Sequence, residues 1–199
     1  MKSLPFFLIV LFWLSGCAVN QNKGMDRDQW IVETHRTYED VTKEEVLRSV
    51  ERLFVLADGD DFNFSHSENG IRATRNWMTY MIFAASQGVD TWDVEVKEVG
   101  RNTSVQVSAY VSASAIVPVQ VGGATSATNT GASGSSINHP SLYRLFWRRL
   151  DYLLGKSDHW MGCGEAEKHF SSVDGGPYGI SLLCNSFNIK DDSPLTAGN

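Results

Sequence analysis

No apolar run in this sequence is long enough to cross a bilayer as a helix. The longest, Leu4 to Leu14, rises only about 16 Å at roughly 1.5 Å per residue, against a hydrocarbon core of about 30 Å. Basic charge is also in deficit: 17 Lys and Arg face 23 Asp and Glu, for a net charge of −6. That balance argues against sequence-independent nucleic-acid binding, which needs Lys and Arg to neutralise phosphates. It argues equally against broad attraction to anionic lipid surfaces. Cysteine is scarce, with 3 in 199 residues. Reaction motifs are missing altogether. There is no P-loop, dinucleotide fingerprint or zinc-protease helix. The nearest thing to a hydrolase elbow, Gly131-Ala132-Ser133-Gly134, sits in a low-complexity segment and not on a strand-to-helix turn. Internal repeats and coiled-coil heptads are absent. The length suits one medium domain or two very small ones.

What is present begins at the N-terminus. Lys2 supplies a positive charge, the apolar run follows, and Leu14-Ser15-Gly16-Cys17 closes it. An apolar stretch this short suits a signal-peptide core. The order of charge, apolar run, small residues and cysteine resembles the bacterial lipobox. The resemblance, confined to residues 1–17, implies a signal peptide over 1–16 and lipid attached to Cys17. Cys17 would then hold the chain on a membrane, with palmitate among the acyl groups. Ala18 in place of an aspartate implies sorting to the outer membrane, with the domain facing the periplasm. The polar stretch Gln21-Asn22-Lys23-Gly24 has no periodicity, and residues 17–29 read as a flexible tether.

With Cys17 lipidated, Cys163 and Cys184 remain. An exported chain meets an oxidising compartment, so this pair is expected as a disulfide. It would close a loop of about 20 residues, worth roughly 3 kcal/mol in chain-entropy terms. The rival is a metal site made by His159, Cys163, His169 and Cys184, a set without a recognised zinc spacing. The expectation is no metal and no cofactor.

Along the mature chain, Trp30 to Tyr38 is rich in β-branched and aromatic residues and reads as a strand. Thr42-Lys43-Glu44-Glu45 has the capping-box form, and Val46, Leu47, Val50, Phe54 and Ala57 follow at helical spacing. That helix should end near Asp58-Gly59. Phe62 and Phe64 alternate with polar residues, Asn69-Gly70 signals a hairpin, and Ile71 to Ala85 reads as one long strand broken by Gly88. Trp92, Val94 and Val96 alternate with charged residues, and Gly100-Arg101-Asn102 turns the chain. Val105, Val107, Ala109, Val111, Ala113 and Ala115 then point one way and hydroxyl-rich neighbours the other, up to Pro118. Gly122 to Ser136 contains only small and polar residues. It offers too little apolar surface to offset its ordering entropy, and reads as a linker within an insertion over 121–138. Pro140 opens a second helix with a stripe from Leu142 to Leu154, and Gly155 caps it.

This order predicts an α+β fold: two layers, with a mainly antiparallel sheet and two helices packed on one of its faces. The folded unit should be a single domain over 30–189, with a flexible tail at 190–199. The strand, capped helix and glycine-marked hairpin between Arg36 and Arg75 resemble accessory lipoproteins of envelope assembly, conjugation and secretion machines. That resemblance implies envelope protein partners and a non-catalytic role.

Several side-chain groups are candidates for more. His35 and His66 could meet across the sheet as a metal or proton-transfer pair, against ordinary packing. Arg144, Arg148 and Arg149 flank Trp147 and could form a basic, aromatic contact patch, against a solvated helix face. Asp58, Asp60 and Asp61 cluster without a calcium-loop spacing. Trp77, Trp92, Trp147 and Trp160 are expected mainly in the core. A concave pocket lined by Trp77, Tyr80 and Trp92 would favour a stand-alone ligand-binding or stress-response lipoprotein. An envelope enzyme is the third reading, and it needs a cleft with converging polar groups.

Overall fold

The computed structural model describes residues 25–58, 61–82, 84–121, 124–129, 131–170 and 179–184. The leader and Cys17 lie outside the described residues, as do Asp60 and the expected tail at 190–199. The fold is α+β, with a 7-stranded antiparallel sheet in the order β1-β5-β4-β3-β2 and with β6 and β7 also pairing β5. The strands are β1 (His35–Glu39), β2 (Phe62–Ser67), β3 (Gly70–Met81), β4 (Ala84–Val99), β5 (Asn102–Val121), β6 (Ala124–Asn129) and β7 (Ser133–Ser136). The helices are α1 (Arg27–Thr34), α2 (Lys43–Asp58), α3 (Pro140–Leu153) and α4 (Cys163–Phe170).

The expected strand from Trp30 to Tyr38 is divided, because its first half is α1. Asp26 decides this. Its carboxylate accepts the Gln29 N–H at 2.9 Å while the Gln29 side chain accepts the Asp26 N–H at 3.2 Å. That reciprocal capping box outweighs the β-branched character of Ile31 and Val32, both of which are exposed. The expected tether of 17–29 is therefore too long at its far end. Met25 is already docked, its backbone exchanging hydrogen bonds with the Asn138 side chain at 3.1 and 3.3 Å.

The capping box of α2 forms as expected. The Glu45 carboxylate accepts from the Thr42 N–H and hydroxyl, each at 2.9 Å. Those bonds hold the Glu45 carboxyl below its ordinary range. Val46, Val50, Leu53 and Phe54 make the buried stripe of α2; Leu142, Tyr143, Leu145, Phe146, Trp147 and Leu150 make that of α3. Both lie on one sheet face, against Ile71 and Ala73 of β3, Trp92, Val94 and Val96 of β4, and Val105, Val107 and Ala109 of β5. Phe54 is the hub, with ring centroids 5.0 Å from Phe62, 5.3 Å from Trp92 and 6.2 Å from Phe146. Trp92 stacks on Phe146 at 5.7 Å.

The lower corner of the sheet is tied to α3 by polar contacts. Asp151 accepts from Arg36 at 2.5 Å and from the Tyr38 hydroxyl at 2.8 Å. Burial, then the Asp151 charge, pushes the Tyr38 phenol far above its usual range. Cys163 and Cys184 are joined in a disulfide, with Cα atoms 5.5 Å apart and a sequence separation of 21. The Arg149 guanidinium donates to both sulfurs at 3.2 and 3.5 Å, and to the carbonyls of Met161 and Leu183.

Three local expectations give way in the sheet's upper half. The long strand from Ile71 turns after Met81, not at Gly88, which lies inside β4 opposite Trp77. Glycine is needed there because a Cβ would overlap the Trp77 ring and the Ser112 carbonyl. Pro118 does not end β5, which runs on to Val121. Above Ile116 the partner β4 has stopped, so a missing N–H is tolerated on a strand paired on one side only. The segment read as a linker supplies β6 and β7, paired to Ile116–Val121 and Tyr110–Ala113. Backbone ladders laid along β5 organise it, where the entropy argument weighed only apolar burial.

Phe54→Ala should cost about 3–5 kcal/mol, because it removes the ring joining both helices to the sheet. Urea unfolding followed by tryptophan emission measures that loss.

Candidate functional site

The sheet is far longer than the helix layer. Every fully buried residue of β3, β4 and β5 lies at or below the level of Arg75 and Asp90, among the described residues. Beyond that level the strands continue as an arm. It comprises β3 from Asn76, β4 back to Val89, β5 from Ser112, the return strand β6 and the upper end of β7. Side chains in Ala84–Val89 and Val111–Val117 are half-buried at best. At the tip Tyr80 is 78% exposed and Ile82 90%.

A polar knot marks the base of the arm. Arg75 and Asp90 face each other across β3 and β4, with an N–O distance of 2.6 Å and side chains 7% and 5% exposed. Trp77 Nε1–H donates to the other Asp90 oxygen at 2.9 Å. The Arg75 guanidinium also lies 5.1 Å from the Phe62 ring centroid. Both carboxylate oxygens are thus occupied, which a buried charge requires. Above the knot, Trp77, Tyr80, Val111 and Leu182 line an open groove of about 620 Å³. Nearby, the Tyr143 hydroxyl receives the Ala109 N–H at 3.3 Å and donates to the Ile137 carbonyl at 2.7 Å. Burial raises this phenol well above its ordinary range. The tyrosine thus clips the start of the arm to α3.

The opposite sheet face is polar and uncovered where Arg72 holds Asp93 through two bonds of 2.6 and 3.0 Å, beside Gln106, Ser108 and Tyr110. A second groove, between α2 and the end of α3, mixes Asp40 and Glu45 with Arg48, Arg52 and Lys156.

The candidates from the sequence are largely dispersed. His35 lies on β1 and His66 on β2, the two ends of the strand order. At about 4.8 Å per strand they stand roughly 19 Å apart. His66 bonds Glu51 at 3.1 Å instead. The three arginines around Trp147 form no common patch. Arg144 pairs with Glu33, Arg148 is exposed, and Arg149 is fully buried beside the disulfide with Trp160 stacked 4.9 Å from its guanidinium carbon. Trp147 donates to the Glu33 carbonyl at 2.6 Å and receives Arg36 over its ring. Trp92 and Trp147 are core residues, whereas Trp77 and Trp160 are half-buried. The anticipated pocket of Trp77, Tyr80 and Trp92 does not form as such, because Trp92 is sealed beneath the helices. His159 holds Glu165 at 2.8 Å, and Cys163 and Cys184 are bound to each other. Among the described residues no three His, Cys, Asp or Glu side chains converge as a metal set.

The sequence reading missed the Arg75–Asp90–Trp77 knot. Its signal was two opposite charges flanking a span that has no charge of its own.

Asp90→Ala should cost about 3–5 kcal/mol, because it removes the carboxylate that pairs a buried guanidinium. Asp93→Ala removes a pair on the exposed face and should cost about 1 kcal/mol or less. Parallel urea titrations of the two variants check this contrast.

No protein-family model, curated protein or solved structure matches this chain.

Proposed function

We propose that this chain is a lipid-anchored, non-catalytic component of a cell-envelope protein assembly, held in the outer membrane through Cys17 with its domain facing the periplasm. The single observation that supports this best is the arm. It exposes backbone on its outer strands, β3 beyond Arg75 on one side and β6 on the other, where a partner strand can add to the sheet. The lipobox-like Leu14-Ser15-Gly16-Cys17 supports the anchor, and the Cys163–Cys184 bridge fits an oxidising compartment.

Ligand binding is the second reading, and the groove beside Trp77 and Tyr80 favours it. It is open, and its one carboxylate, Asp90, is held by Arg75 and Trp77. That pairing weighs against an envelope enzyme using this groove, since a carboxylate stabilised as the anion by a guanidinium is a weak general base.

Crosslinking in cells followed by pull-down in mild detergent tests the leading reading. The native chain should bring down a discrete set of envelope proteins, and Cys17→Ser should lose them. Recovery of the chain alone from both forms would sink the reading and turn attention to ligand screening.

A further inference from the structure

The arm has no charged residue. Asn76 to Val89 carries no Asp, Glu, Lys or Arg, and neither does the whole stretch from Asn102 to Tyr143. Exposed sheet in water is normally defended by charge, particularly on edge strands. The lower half of this sheet carries charge on one edge and across its open face: β1 has Arg36 and Glu39, Arg72, Asp93, Glu95 and Lys97 face solvent on β3 and β4, and the edge strand β2 has only His66. The charges stop at Arg75 and Asp90, on adjacent strands and at one level. Trp77 stands above that line and Tyr110, on the other face, one residue below it; these are residue types that gather where lipid meets water. At the tip the exposed residues are Tyr80 and Ile82.

We propose that the uncharged arm enters a lipid bilayer and that copies of this same chain pair its two edge strands there. The two parts are one physical requirement. An unpaired backbone N–H or C=O costs several kcal/mol in hydrocarbon, of the order of 4–8 for an amide without a partner, so an open sheet edge cannot remain in lipid. The strand pattern allows closure. Beside the β3–β4 hairpin the order is β3, β4, β5, β7, and β6 continues the β7 side along Ile116–Val121, above the hairpin; each neighbour is antiparallel. The outer strands β3 and β7 therefore run in opposite directions. Placing β7 of one copy beside β3 of the next continues the antiparallel alternation, so a ring closes with no parallel seam. The four strands per copy at that level match the even, antiparallel composition of bacterial outer-membrane barrels.

Length sets how deep the arm goes. From Val111 to Val121, β5 offers the roughly 9–11 residues that a tilted strand needs to cross a bilayer, whereas β3 and β4 rise above the knot only as Asn76–Met81 and Ala84–Val89, so the hairpin enters the bilayer from one side without crossing it. On the face shared with the buried core residues, β5 presents Val111, Ala113, Ala115 and Val117. The start of the chain is suitably placed as well. Met25 is held by Asn138, whose neighbour Ile137 donates to the Ala109 carbonyl, one residue below Tyr110. The chain from Cys17 to Met25 can extend about 28 Å at up to roughly 3.5 Å per residue. A lipid on Cys17 thus reaches a membrane surface set at the base of the arm.

This inference deepens the envelope reading and rests on it for the membrane. Its test needs no envelope partner, so the two fail separately. Full-length chain, extracted in mild detergent, is reconstituted in phosphatidylcholine–phosphatidylglycerol vesicles containing spin-labelled acyl chains. An environment-sensitive dye is attached at Ile82→Cys, and in a second preparation at Val99→Cys, which is 65% exposed at the opposite end of β4. Ile82 should lose most of its emission to the acyl quencher and Val99 should keep it. The extracted particle should have a mass several times that of one chain. Tyr80→Lys, at a solvent-facing position where folding is untouched, should abolish the quenching at Ile82. An unquenched Ile82 overturns the proposal, whether the chain is then monomeric or assembled through a water-soluble interface. Quenching on a particle of one chain overturns the edge pairing and the proposal with it.

Discussion

The β4–β5 ladder carries the whole molecule. It runs without a break from Val99 opposite Asn102 to Ala85 opposite Ile116. Its lower half is the floor of the core, where Trp92, Val94 and Val96 lie beside Val105, Val107 and Ala109 under the helices. Its upper half is the spine of the arm. A one-residue slip would turn each buried side chain outward, so the apolar contacts below dictate the register above. The arm thereby inherits a geometry that its own half-buried alanines, serines and valines could not impose.

The Arg75–Asp90–Trp77 knot stands where these two regimes meet. Burying an ion pair is seldom worth much net stability, since desolvation offsets most of the attraction. What it provides here is position. Arg75 is clamped between Asp90 and the Phe62 ring, and Trp77 is fixed by the same carboxylate with Gly88 beneath it. Each partner depends on the β3–β4 register pairing Arg75 with Asp90 and Trp77 with Gly88. The hairpin leaves the helix-covered layer already held, which allows its tip to stay uncovered.

Much of this fold was legible where side-chain burial sets local structure. The α2 stripe, the capping box at Thr42 and Glu45, and the alternation along β5 all follow from one apolar face meeting one core. Reading failed where backbone bonds decide. The same Asx-x-x-Gln logic that starts α1 at Asp26 and Gln29 was present in the sequence, but Trp30, Ile31 and Val32 drew the eye to a strand. The Gly, Ala, Ser and Thr run at 122–136 looked incapable of order because its side chains bury little; β5 supplies the template instead. Of the candidate residues, only the cysteine pair met as expected, its pairing being a matter of compartment and count. The histidines and arginines scattered because chain position says nothing about which edge a strand occupies. The most telling signal, the loss of all charge above Arg75 and Asp90, was visible in the sequence, yet it had no meaning until topology put the two uncharged stretches side by side.

That contrast within a single sheet is the strongest constraint on what surrounds it. Both halves have the same ladder spacing and open edges, β1 and β2 below and β3 with β6 and β7 above, so both face the same hazard of pairing with another chain in water. The lower half answers with Arg36, Glu39, Arg72, Asp93, Glu95 and Lys97. The upper half has no charge to answer with, and its one proline, Pro118, blunts β5 only above Ile116, where β4 has stopped. If both halves stood in water, selection against aggregation would act on both alike. A sharp change in charge across one line of adjacent residues therefore points to a change of surroundings at that line: water below Arg75 and Asp90, and a medium or partner that excludes water above them.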